Sequence, residues 1–155
     1  MASFPAGVTV VTTTDAKGTW HGFTATSFCS VSKEPPLVSV CLAHTAACHD
    51  VFTAAGRWAV HVLRSEDSGL AVLFATRGAD KFAGGRFTPD RNGLPVLDKS
   101  VARLTCRTDA VHPAGDHTIL VGRVEDLDTS AGESAVYYRR GFYSLRSAKE
   151  AACTS

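Results

Sequence analysis

The chain of 155 residues is 45% hydrophobic, which suits one ordinary globular core and is too short to divide into two. Sixteen Lys and Arg against fifteen Asp and Glu leave a net charge of +1 with no basic block, so the electrostatic footprint of a nucleic-acid binder is missing. Met1 to Val11 lacks the cationic start and apolar core of a secretion signal, and no apolar run reaches membrane-spanning length; a cytoplasmic protein with no membrane partner is expected.

Gly7 to Thr13 is rich in β-branched residues and predicts a strand, turned by Asp15-Ala16-Lys17-Gly18 into a second strand that leads to Thr24. Pro36 to Leu42 reads as a buried strand. Thr45 to Ala55 predicts a short helix stopped by Gly56, with Val51, Phe52 and Ala55 on its inner side. Arg57 to Leu63 returns as a strand. Ser65, followed by Glu66 and Asp67, predicts a hydroxyl-capped helix start, and that helix runs to about Thr76. Asp80 to Asp98, rich in glycine and proline, predicts a covering loop. Beyond it Ala102, Leu104, Cys106 and Ala110 alternate with Arg103, Thr105, Arg107 and Asp109 as in a half-buried strand. A turn at Pro113-Ala114-Gly115 leads into a last predicted strand, His117 to Asp126. Strands outnumber helices and short turns join most of them, which predicts a closed or partly closed antiparallel barrel with two flanking helices.

The segment Gly22 to Ser32 is crowded with small and hydroxyl residues. Thr24, Thr26, Ser27 and Ser30 offer hydroxyls, and Gly22 and Ala25 leave room for a flat ligand with a phosphate tail. The alternative is a strand and turn whose hydroxyls bond local backbone. Five cysteines, at 29, 41, 48, 106 and 153, form no disulfide framework, and most are expected to be reduced and buried. Cys41, His44, Cys48 and His49 are all zinc-ligand types, but their spacing is not a paired-hairpin pattern, so a core residue followed by a helix is the preferred reading and no metal site is expected.

Several ordered motifs carry a resemblance: Phe4-Pro5-Ala6-Gly7-Val8, the Gly22 to Ser32 segment, Pro35-Pro36-Leu37-Val38, Cys48-His49-Asp50, Ala79-Asp80-Lys81-Phe82, and Gly115-Asp116-His117-Thr118-Ile119 through to Tyr138. Together they resemble the flavin reductase-like family, the short-chain NAD(P)H:flavin oxidoreductases that feed two-component monooxygenases. The resemblance covers about residues 4 to 143. It implies a single mainly β domain over residues 1 to 147, a split antiparallel β-barrel of Greek-key type, that forms a homodimer with flavin near the subunit interface. FMN or FAD is the implied cofactor, NADH or NADPH the hydride donor, and a separate flavin-dependent oxygenase the recipient of reduced flavin. A repurposed barrel that binds flavin without catalysis is the alternative.

By the same resemblance, Thr24, Ala25, Thr26 and Ser27 lie along the flavin ring and ribityl chain, and the stretch from Ala43 through Thr45 and Ala46 to Ala47 helps to hold the phosphate. Amides and the dipole at the start of the predicted 45–55 helix suit that task. Lys81 adds charge, unless it is simply a solvated loop lysine. Ser30, Cys41, Leu42, His49, Phe82, Gly115, Asp116 and Tyr138 complete the implied cofactor-binding set. His117, in a Gly-Asp-His signature, is the implied catalytic residue: an imidazole can donate to the nicotinamide carboxamide or to developing negative charge. The cofactors perform the redox chemistry, so the chain needs mainly to stack and orient two rings. Ala43, Ala46, Ala47 and Cys48 replace more usual polar or cationic residues, which predicts modest flavin affinity. Ala6 stands for a common Thr and only Met1 to Ser3 precede the Phe-Pro segment, predicting an altered dimer edge. Ala148 to Ser155 is expected to fray.

Overall fold

The β-branched run after Val8 extends as expected, since such side chains pack well on a pleated surface. β1 (Ala6–Gly7) precedes β2 (Thr9–Thr14), which reverses into β3 (Trp20–Ala25). Asp15 Oδ1 sets that turn by accepting the amides of Lys17 and Thr19, both at 2.9 Å, and Gly18 supplies the left-handed φ of +84°. The computed structural model describes residues 3 to 145, so the expected fraying of 148–155 falls outside the described residues. β4 (Cys29–Ser32), β5 (Leu37–Ala43), α1 (His49–Ala54), β6 (Arg57–Val62) and α2 (Ser68–Ala75) follow. Then come β7 (Phe87–Pro89), β8 (Pro95–Leu97), β9 (Ala102–Ala114), β10 (His117–Thr129), β11 (Ala135–Tyr138) and β12 (Gly141–Ser144).

Seven strands form one antiparallel sheet in the order β3-β2-β6-β9-β10-β5-β4. Val11, Phe23, Val40, Leu42, Trp58, Cys106 and Leu120, from six of these strands, meet with Phe52 of α1 in one buried cluster. A flat sheet could not bring them together, so the sheet curls around them into the predicted barrel. It remains split, because β3 and β5 approach without pairing. A second cluster, including Val10, Leu63, Phe74, Phe87 and Ala135, fills the space between the barrel, α2 and a small β1-β11-β12 sheet. Among the described residues no helix is long and apolar enough to cross a membrane.

Four expectations are corrected. The helix begins at His49, not Thr45, because Ala46 N–H turns back to Ala43 O and His44 N–H is taken by Asp116 O, both at 3.0 Å. Its end is an extended Ala55, so Gly56 is no left-handed cap; Phe52 is fully buried, Val51 and Ala55 only partly. Ser65 caps nothing: its hydroxyl meets Glu66, residues 65–67 form a 3-10 turn, and the α-helix starts at Ser68. Residues 80–98 are not all loop. They contain the β7–β8 hairpin, with Phe87, Leu94, Val96 and Leu97 buried and Thr12 Oγ1 donating to Pro95 O at 2.7 Å. Finally β9 runs through Pro113 and Ala114, and the reversal falls at Gly115, φ +63°. Pro113 is tolerated there because β6 pairs β9 only as far as Arg107, which leaves β9 an edge beyond it.

Gly122 and His61 show how tightly the interior is set. A Cβ on Gly122 would sit 2.8 Å from Cys106 Cβ and closer still to the Trp58 ring. Gly122→Ala should therefore lower the unfolding free energy by about 1–3 kcal/mol, read from urea denaturation midpoints. His61 is fully buried, its Nδ1 paired with Val10 O at 3.1 Å, its Nε2 without a partner among the described residues, and its ring edge-on to Phe87. Burial pushes its pKa down to about 4 from 6.5. The folded state thus holds it neutral while the unfolded chain takes up the proton, so stability is full above pH 6.5 and falls as pH drops toward 4. The loss should reach about 3 kcal/mol. Chemical denaturation of wild type and His61→Gln at several pH values checks this: the variant should lose that segment of the pH dependence.

Candidate functional site

Where β3 and β5 part, an open cleft of about 870 Å³ forms. Three stretches line it: Trp20–Ser27 of β3 and its exit, Cys41–Cys48 except His44 at the end of β5 and beyond it, and residues 74–82 in the last turn of α2 and after it, with His117 at the start of β10. Thr24, Ala25, Thr26, Ser27, Cys41, Leu42, Ala43, Thr45, Ala46, Lys81, Phe82 and His117 all line this one space. Ser30, His49, Gly115, Asp116 and Tyr138 do not. Ser30 pairs with Val38 on β4, and Tyr138 lies on β11 against Arg139 and Tyr143. His49 sits behind the lining, its Nε2 2.9 Å from Thr118 Oγ1 and its Nδ1 3.1 Å from Asp50 Oδ1. Gly115 forms the turn that presents its two successors.

Two hydroxyls of the Gly22–Ser32 segment serve the protein itself. Thr24 Oγ1 donates to Ala71 O of α2 at 2.6 Å, and Ser27 Oγ accepts the Cys41 N–H at 2.9 Å. Thr26 is exposed. Gly22 has no room for a side chain, since a Cβ would lie 2.6 Å from Phe74 Cε1, and its carbonyl accepts Lys81 Nζ at 3.0 Å. Lys81 is no solvated loop lysine: it is half-buried, 5.9 Å over the Phe74 ring, with its pKa lowered by burial and partly restored by nearby Cys48. Burial raises the Cys48 thiol in turn. Phe82 locks the same loop in place, packing edge-on to Trp20, Phe74 and Phe87.

The turn between β5 and α1 leaves the amides of Thr45 and Ala47 without a backbone acceptor among the described residues. Both residues line the cleft, so each amide is a candidate donor to an anion there. In the same cleft His117 Nδ1 lies 2.7 Å from Asp116 Oδ1. The hydrogen bond and charge of His117 hold the Asp116 carboxyl below its ordinary value, and the pairing leaves Nε2 as the free ring nitrogen. Among the described residues no three His, Cys, Asp or Glu are placed to hold a metal ion, so Cys41, His44, Cys48 and His49 do not converge on one, and the four described cysteines are free thiols. Trp20, Phe74 and Arg77 also line the cleft and were missed by the sequence reading. Phe74 and Arg77 reach it only because α2 docks on β3, which no local pattern announces.

The family model described as flavin reductase like domain matches residues 1–146. The chain belongs to that family. A Streptomyces coelicolor protein named actinorhodin polyketide dimerase is 50% identical over 156 residues, spanning 100% of this chain and 88% of that one. The NADH:riboflavin 5'-phosphate oxidoreductase of Streptomyces pristinaespiralis is 43% identical, over 92% of this chain and 83% of its own. Among solved structures, the flavin reductase component of a bacterial two-component tryptophan halogenase, BorF, superposes with a TM-score of 0.86 at 32% identity, covering 94% of each chain. The residues of this flavin reductase-like cleft fit a flavin through the small side chains of Ala43, Ala46 and Ala47, the amides of Thr45 and Ala47 and the cations of Lys81 and Arg77, whereas the room expected at Gly22 is filled by the Phe74 ring.

The Ser27 bridge is open to test. Ser27→Ala removes the acceptor of the Cys41 amide and should cost about 1 kcal/mol. Hydrogen exchange at Cys41 should accelerate selectively, with protection in the β2–β6 ladder falling only by the global loss of stability.

Proposed function

We propose that this protein is an NAD(P)H:flavin oxidoreductase that reduces FMN or FAD and passes it to a separate flavin-dependent oxygenase. The observation that carries the reading is the convergence of a strand-edge cleft, a free amide pair and an aspartate-oriented histidine in one open space. When bound, the flavin ring and the reduced nicotinamide supply the hydride chemistry between them. The chain's part is to orient. The backbone from Thr24 to Ser27 forms the surface along which the ring lies, and the 43–47 turn takes the phosphate. Lys81 holds its loop against β3. His117 presents Nε2 as a hydrogen-bond partner for the carboxamide or for developing negative charge, with Asp116 fixing its tautomer.

A homodimer belongs to the same reading. Phe4, Tyr143 and Leu145 are exposed large apolar residues on or next to the β1-β11-β12 sheet, a surface suited to a second copy. Tyr138, on β11 and outside the cleft of its own chain, would reach cofactor from that surface, whereas Ser30 lies on β4 in the other sheet. One domain over residues 1 to 147 and a cytoplasmic setting complete it; four free thiols accord with a reducing compartment.

Anaerobic stopped-flow mixing of the protein with FMN and NADH tests the proposal. Bleaching of the oxidised flavin band should far outpace the protein-free rate. His117→Ala should slow it by about tenfold or more while flavin affinity changes little. Flavin binding without bleaching, with either NADH or NADPH, would instead leave a flavin-binding barrel that is not a reductase.

A further inference from the structure

The connection between β5 and α1 faces two ways. Thr45 and Ala47 line the cleft, whereas His49, the first residue of α1, is turned to the start of β10. Its side chain is only 19% exposed and is engaged on every polar atom: Nε2 lies 2.9 Å from Thr118 Oγ1, and Nδ1 lies 3.1 Å from Asp50 Oδ1. The His44 ring packs edge-on to it at 5.1 Å. With the Asp50 carboxylate beside Nδ1, the imidazole proton sits there, and Nε2 is left to accept the Thr118 hydroxyl. Thr118 is buried, and its hydroxyl has no other partner among the described residues. Loss of the imidazole would therefore strand a buried donor.

That bond bears on the two residues just before it. The side chains of Asp116 and His117 are 94% and 45% exposed, so burial does not fix either of them. Their place depends on the backbone around them. Gly115 makes the turn that leads in, Asp116 O takes the His44 amide at 3.0 Å, and Thr118 is tied to His49 immediately after. In the β5–β10 ladder His117 faces Ala43 and Thr118 faces Leu42, so both tethers come from the segment that continues β5. We propose that His49 is a positioning residue: through the Thr118 hydroxyl it fixes the start of β10, and with it the place of His117 in the cleft. His49 acts from behind the lining, and the inference rests on the flavin reductase reading above. Precision matters at such a position, since a misplacement of about 1 Å can cost a reaction about a hundredfold.

His49→Ala, His49→Gln, His49→Asn and Thr118→Val test it by two readings. In the ligand-free protein, hydrogen exchange at the His44 amide reports the hold on Asp116. It should accelerate about tenfold in His49→Ala and Thr118→Val, beyond any change in the β2–β6 ladder. In anaerobic stopped-flow mixing, flavin bleaching at saturating FMN and NADH should slow about fivefold in both, while FMN affinity by fluorescence titration stays within about twofold of wild type. Gln places its terminal amide where Nε2 stands, so His49→Gln should recover most of both losses. Asn reaches only the Nδ1 position, so His49→Asn should behave as His49→Ala. Because either change breaks the same bond, the double variant should be no slower than the single ones. Unaltered exchange at His44, unaltered bleaching, additive losses in the double variant, or His49→Gln as slow as His49→Ala would each overturn the assignment while sparing the flavin reading. A wild type that neither binds FMN nor bleaches it removes both.

Discussion

Strands β3 and β5 lie side by side in the barrel without a ladder between them, and the hydroxyl of Ser27 is what spans the gap. Everything that makes the cleft follows from that missing pairing. An unpaired strand edge leaves carbonyls and amides that must be satisfied or exposed. Here side chains do the satisfying: Ser27 Oγ takes the Cys41 amide, and Lys81 Nζ takes the Gly22 carbonyl. Because these substitutes are few, the edge stays open enough to receive a planar guest, and the barrel still closes around Trp58 and Phe52.

The same edge recruits α2. Thr24 Oγ1 reaches Ala71 O, and the bare face of Gly22 admits the Phe74 ring, so the helix seats on β3 with its last turn at the cleft. Phe74 then meets Phe82, which in turn touches Trp20, and the loop bearing Lys81 becomes part of the packed structure. The chain of contacts explains why a loop with glycines at 78, 84 and 85 has a defined course. It also means that Gly22 serves twice, through its absent side chain and through its carbonyl.

The strands were legible where the period was simple. Gly7 to Thr13, Pro36 to Leu42 and Arg57 to Leu63 are long apolar or β-branched runs, and each lies within a residue or two of an observed strand. The misreadings came from bonds formed far along the chain. Thr45 to Cys48 has helical composition but is held in a turn by Asp116, more than sixty residues on. The β7–β8 hairpin consists of three-residue strands ended by prolines, too short to show alternation, and it is stabilised by threonines of β2. In the site, twelve residues assigned by resemblance do line one cleft, yet the hydroxyls of Thr24 and Ser27 turn out to face the protein. A hydroxyl-rich sequence shows donors; only packing shows which are already spent.

An open cleft with two free amides and the cations of Lys81 and Arg77 is poorly built for permanent retention. Micromolar affinity corresponds to about 8 kcal/mol, and each exposed contact contributes only a small part of that. Irreversible holding would need the ligand enclosed and its phosphate buried among several paired cations, and this cleft offers neither. Such a balance is awkward for a flavoprotein whose cofactor stays put. It is well suited to the proposed reductase, in which the reduced flavin must leave for another enzyme, because every increment of ground-state affinity that is not used in hydride transfer would slow its release. The alanines at 43, 46 and 47 are then understandable as part of the function: they add no charged side chain to the turn, so its own hold on an anion is directional but weak.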